Sequence, residues 1–200
     1  GYTIGIINTP GIVTIPIERS PRWSLNSFTF IAGVVEDPTT FAVHPESSIR
    51  SIADLVAAAR AKPGEIMVGT QGIGSAGHIS ALLLEKAAGI RFECVSYAGS
   101  APAAVARSEL APEVPSFKEA GLDLRGGSLR GVGAPRDLPA EVTQRLANAI
   151  DAVLRNKDFR EASVRSYQPL RFLNSADYLA YLQEADAAHR ALWQQRPWNS

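Results

Sequence analysis

The chain has 200 residues, 46% of them hydrophobic, and its twenty basic and twenty acidic side chains cancel to a formal net charge of zero. That is too apolar for a disordered segment and long enough for one sizeable core or two small ones. There is no basic block to neutralise a row of phosphates, so nucleic acid is not an expected partner, and no apolar run reaches the roughly 20 residues of a membrane-spanning helix.

Short β-rich runs alternate with helical patterns, the signal for an α/β architecture with mainly parallel strands. Candidate strands run from Tyr2 to Asn8, Phe28 to Val35, Thr40 to His44, Glu65 to Thr70, Phe92 to Tyr97, Ser128 to Ala134 and Pro169 to Leu173. The opening residues already read as a strand, with no charged and apolar leader before them. Ser51-Ile52-Ala53-Asp54 resembles a capping box, and the stripe Ile52, Leu55, Val56, Ala59 ends at Lys62-Pro63-Gly64, which predicts a helix over 52–61. A second helix is expected over 78–88, with Gly89 placed as its C-terminal cap. After Pro139 the apolar residues Val142, Leu146, Ile150, Val153 and Leu154 recur at three and four, and Ser175 opens another helix carrying Tyr178, Leu179, Leu182, Ala185 and Leu192. Two helices are thus expected to close the chain.

Two stretches break the alternation. Between Phe28 and His44, two β-type runs are separated by Val35-Glu36-Asp37-Pro38-Thr39, and a proline does not belong inside a central strand. Later, Ser128 to Val132 follows the adjacent glycines Gly126 and Gly127, which tolerate large backbone changes. These read as two crossings between lobes, with a hinge: residues 1–38 and 128–200 form lobe I, and residues 39–127 form lobe II.

The most informative local feature is Val68-Gly69-Thr70-Gln71-Gly72-Ile73-Gly74-Ser75-Ala76-Gly77-His78: a strand, a glycine-rich turn and a helix. Such a junction aims several backbone N–H groups and the positive end of a helix at one spot. Gly72, Gly74 and Gly77 satisfy the dinucleotide pattern, with Glu93 some twenty residues on, yet Glu93 is followed by more β-type sequence where that acid should end its strand. A nucleophile elbow fails because Ile73 stands where its first glycine belongs. A turn using glycine only for geometry is the bland alternative. Carboxylate binding asks least, since one or two amides and the Thr70 and Ser75 hydroxyls suffice. His78 is either exposed or a ligand contact. Tyr97-Ala98-Gly99-Ser100 follows the next strand in the same way, and neighbouring parallel strands place such turns at one end of a sheet.

Other residues invite blander readings. Cys94, in Phe92-Glu93-Cys94-Val95, is expected to be a small core hydrophobe, and Ile12, Val13 and Phe41 are read as core more readily than cleft. Arg130 reads as a solvated charge. The three histidines are too scattered for a metal site, and no cofactor is expected.

Taken together, these residues resemble the substrate-binding receptors of tripartite tricarboxylate transporters, the Bug receptors. The resemblance rests on Gly1-Tyr2-Thr3 leading to Asn8-Thr9-Pro10, Ser48-Ile49-Arg50-Ser51-Ile52-Ala53-Asp54-Leu55 before Lys62-Pro63-Gly64, and Val68-Gly69-Thr70 with Gly74-Ser75 and His78. It continues through Tyr97-Ala98-Gly99, Leu110-Ala111-Pro112-Glu113-Val114-Pro115-Ser116-Phe117-Lys118-Glu119-Ala120-Gly121, and Gly133-Ala134-Pro135 with Leu138-Pro139. The family implies a two-lobed α/β receptor of the periplasmic-binding-protein type that closes on a small organic mono- or dicarboxylate. Such receptors are not enzymes; they work as periplasmic monomers and pass the ligand to one large and one small membrane subunit. The binding role would fall to Thr70, Gly74, Ser75 and His78, to Tyr97, Gly99 and Ser100, and to Asn8 and Thr9.

Two departures accompany the resemblance. Family members carry a first strand and glycine-containing loop ahead of Tyr2, and a strand, helix and strand between the equivalents of Ala106 and Arg107, where this chain runs straight on. A dinucleotide enzyme using the Gly72–Gly77 turn, or a truncated relative that binds nothing, are the competing expectations.

Overall fold

The computed structural model describes residues 3–44, 46–96, 117, 120–122, 124 and 126–198. The chain forms two compact units, unit 1 comprising Gly1–Asp37 and Ser128–Pro197, and unit 2 comprising Pro38–Gly127 and Trp198–Ser200. The backbone therefore passes from unit 1 to unit 2 at Asp37–Pro38 and returns at Gly127–Ser128.

In unit 1, β1 (Gly5–Asn8), β2 (Phe28–Pro38), β5 (Gly127–Pro135) and β6 (Leu170–Leu173) form a four-stranded sheet in the order β1-β5-β2-β6. The pairs β1–β5 and β2–β6 are antiparallel, against the expectation of a mainly parallel sheet. Alternation along each strand splits the side chains between two faces, as a period of two requires. Ile7, Phe30 and Leu129 pack with Ile12 and Val13 of α1 (Gly11–Glu18) and with Tyr178 and Leu182 of α6 (Ser175–Gln195). Ile31, Val132 and Ala134 point the other way, onto Leu146, Ala147 and Ile150 of α4 (Ala140–Arg155). The core reading of Ile12 and Val13 is thus correct, since they are 9% and 0% exposed.

Three expectations change here. Residues 40–44 form no strand, because β2 runs unbroken to Pro38, where a proline at the strand end leaves no ladder bond missing. Three helices follow Pro139 instead of two, the extra one being α5 (Lys157–Arg165), which buries no residue and so shows no apolar stripe. Arg130 is ion-paired with Asp37 rather than simply solvated, tying β5 to the end of β2.

Unit 2 packs α2 (Ile52–Ala61) and α3 (Ala76–Ala88) on a parallel pair, β3 (Met67–Thr70) and β4 (Glu93–Ser96), in register from Met67–Glu93 to Thr70–Ser96. Leu55, Ala59, Leu84 and Phe92 form its core, with Phe41, Val68 and Cys94 packed against them. Phe41 and Cys94 therefore take the bland roles expected. Glu85, 8% exposed, accepts the Phe92 amide at 2.6 Å and so joins the end of α3 to the start of β4. The Ser51 cap is present, with Ser51 Oγ accepting from the Asp54 amide at 3.1 Å and Asp54 accepting from the Arg50 amide at 2.9 Å. The Arg50 amide, and after it the Ser51 side chain, hold the Asp54 carboxyl below its ordinary value, since hydrogen bonds to a carboxylate favour its charged form.

Gly126 lies close against α3: a Cβ there would meet Ser80 Oγ, with Thr39 beside it.

Candidate ligand-binding turns

In unit 2, β3 delivers Thr70 to the turn and Ser75 begins α3. Gly72 and Gly74 adopt φ of +125° and +70°, conformations that L side chains rarely take. The turn is bonded internally: the Gly74 amide donates to His78 Nδ1 at 3.1 Å, the His78 amide donates to Ser75 Oγ at 3.3 Å, and the Ser75 amide donates to Gly72 O at 3.3 Å. His78 is only 5% exposed, and an Nδ1 that accepts leaves the proton of the neutral ring on Nε2.

Gly74, Ser75 and His78 are therefore brought together, but the Gly74 and Ser75 amides are spent on the turn itself. The Ala76 and Gly77 amides in the first turn of α3 take no partner among the described residues. The Ser75 hydroxyl accepts a bond and keeps its own proton to give. Thr70, 2% exposed, has a buried hydroxyl with no partner, a costly state unless something accepts from it. Ser80, one turn further along α3 and 1% exposed, likewise has an unpartnered hydroxyl; nothing in its surroundings in sequence had marked it. Tyr97, Gly99 and Ser100 lie outside the described residues.

Glu93, the acid a dinucleotide reading needs, is the first residue of β4 and pairs with Met67, while Thr70 at the glycine turn pairs with Ser96. Three residues of strand, about 10 Å, separate Glu93 from the turn end of the pair.

Asn8 and Thr9 belong to unit 1. Thr9, 2% exposed, donates its hydroxyl proton to Leu129 O at 2.7 Å, and the same oxygen accepts from the Leu129 amide at 2.9 Å. That hydroxyl takes the ladder position its own carbonyl would fill, and the released Thr9 carbonyl is met by Ser128 Oγ at 2.6 Å. The chain can then leave the sheet and begin α1, whose N-cap is Pro10 with no side-chain cap. The Gly11 and Ile12 amides take no partner among the described residues. Asn8 is exposed, its Oδ1 within 2.8 Å of Ser128 Oγ.

A strand–turn–helix with unspent amides, carried on an α/β frame, is a place where an anion can be held. The chain belongs to the family described as "Tripartite tricarboxylate transporter family receptor", which matches residues 1–108. Solved structures share the fold: a TctC solute-binding protein from Polaromonas (TM-score 0.82, 20% identity, 96% of this chain and 77% of that one), an R. palustris protein with adipate (0.75, 21%, 96% and 76%), and the periplasmic binding protein BugD (0.74, 20%, 96% and 77%). Among curated proteins, the UPF0065 protein in the gbd 5′ region of Cupriavidus necator is 20% identical over 226 residues, 96% of this chain and 69% of its own length. Two further UPF0065 relatives are spanned over 59% and 54% of their length. No helix among the described residues is long and apolar enough to cross a membrane.

Proposed function

We propose that the chain captures a small organic mono- or dicarboxylate as a monomeric periplasmic receptor and presents it to the large and small membrane subunits of a tripartite tricarboxylate-type transporter. The observation that carries this reading is the unit 2 turn, where the buried, unpartnered Thr70 hydroxyl accompanies the unengaged Ala76 and Gly77 amides at the head of α3. Two amides and a hydroxyl are the kinds of donor that hold a carboxylate. Gly74, Ser75 and His78 shape that turn, Tyr97, Gly99 and Ser100 join it in the proposed set, and Asn8 and Thr9 are proposed separately on unit 1. The adipate bound to a structurally similar protein supports a dicarboxylate.

The competing reading is a truncated relative that binds nothing. An aligned stretch of 226 residues exceeds the 200 of this chain, which supports an internal segment missing here, proposed near 106–107.

Thermal-shift titration of this 200-residue chain with acetate, malate, adipate and citrate tests both. Saturation at about a hundred times Kd should add about 2.7 kcal/mol of stability. No stabilisation by any acid sinks the receptor reading for this chain and supports the truncated one.

A further inference from the structure

Two strands carry the chain between its units, β2 outward and β5 back, and they are neighbours in the unit 1 sheet. Bonds at both ends show how they run: the Arg136 amide donates to Ser27 O at 3.0 Å, and the Thr39 amide donates to Gly126 O at 3.2 Å. The residue before β2 thus meets the residue after β5, and the residue after β2 meets the residue before β5, so the two strands are antiparallel. Thr39 and Gly126 both belong to unit 2, so the pairing continues past the points where the chain changes units.

The Arg130–Asp37 ion pair lies on the unit 1 side of those points. Asp37 is the last residue of β2 within unit 1, and Arg130 follows closely on Ser128, where unit 1 resumes. The Asp37 and Arg130 side chains are 29% and 42% exposed, so water screens much of their attraction. The Asp37 oxygen that faces Arg130 is itself buried, however, and takes no hydrogen bond from any other group. Without the guanidinium, a buried carboxylate oxygen would be left with no cation to answer it, a larger loss than the screened attraction. The two connections also differ in stiffness: the ring of Pro38 fixes its φ, whereas the return runs through Gly126 and Gly127. The ion pair ties the stiff connection to the pliant one.

We propose that Arg130 and Asp37 form a conformational clasp, which keeps β2 and β5 paired through the change of unit so that both connections bend as one ribbon. The clasp belongs to the strands themselves and stands apart from the carboxylate reading, so it is tested without ligand.

The test is amide hydrogen exchange together with thermal melting on wild type, Arg130→Met and the double variant Arg130→Met with Asp37→Asn. Arg130→Met should speed exchange at the Thr39 amide about tenfold, the size of one buried group left unpaired, while the Arg136 amide at the far end of the ribbon and the α3 amides keep their rates. Adding Asp37→Asn removes the orphaned charge. The melting temperature should then recover, yet Thr39 should go on exchanging fast, because nothing links the strands. Unchanged exchange at Thr39 in Arg130→Met overturns the proposal. So does an equal rise at Thr39, Arg136 and α3, which would mark general destabilisation. Recovery of Thr39 protection together with the melting temperature in the double variant overturns it too, since the buried charge and not the link would then be responsible.

Discussion

His78 is bound into the glycine turn by hydrogen bonds of its own. Its ring accepts the Gly74 amide and its backbone amide donates to Ser75 Oγ, so side chain and backbone of one residue both tie down the turn. His78→Phe keeps the buried volume and removes the acceptor; a loss of about 1–2 kcal/mol in urea unfolding is expected. Tyr178 is the opposite case. It is fully buried with an unpartnered hydroxyl, and desolvation pushes its phenol well above the ordinary range. Tyr178→Phe should therefore be neutral or stabilising by up to about 1 kcal/mol, because it removes a desolvated group and no bond. A measured loss above that would show that the hydroxyl has a partner.

Among the elements, α3 was the easiest to read in sequence and the most informative to test. Its serine cap and Gly89 terminus are both present, Gly89 at φ +62° with open space where a Cβ would stand. Gly89→Ala should thus cost about 1 kcal/mol for backbone conformation alone, measurable by thermal melting and without a packing change. The helix begins at Ala76, so His78 is its third residue and not its first. By contrast, α1 was missed. Prolines at 10 and 16 suppress the helical signal, yet Pro10 serves as the N-cap, and Pro16 lies inside the helix, where it forgoes the amide bond to Ile12 O. The α/β class, most strand positions and the glycine turn were legible because alternation and glycine spacing are local. The antiparallel sheet of unit 1 was not, since pairings such as Gly5 with Gly133 join residues far apart in sequence. The same applies to the site: Thr70, Gly74, Ser75 and His78 could be named from one motif, but that Thr9 spends its hydroxyl on Leu129 could not.

For the molecule as a whole, one histidine should dominate the acid limb of stability. His189 on α6 is 9% exposed and its Nδ1 has no partner; burial pulls its imidazole down to about 4, only partly opposed by Asp186 and the Ala185 carbonyl. The unfolded chain takes up that proton near 6.5, before the folded one does, so stability is full above 6.5 and declines as pH falls towards 4. The loss between pH 7.5 and 4.5 should be of the order of 2–3 kcal/mol, read from urea midpoints at the two pH values. His189→Leu should flatten that dependence; an equally steep curve in the variant would assign it to other groups.

Ser80 and Gly126 fit together so closely that the hydroxyl of one occupies the space the other would need for a side chain. Positions 80 and 126 are therefore a single steric choice written at two places in the chain. A side chain at 126 would require the Ser80 hydroxyl to swing aside or be removed. Because 126 stands just before the chain leaves unit 2, this shared volume ties the end of that unit's backbone to the first turns of α3.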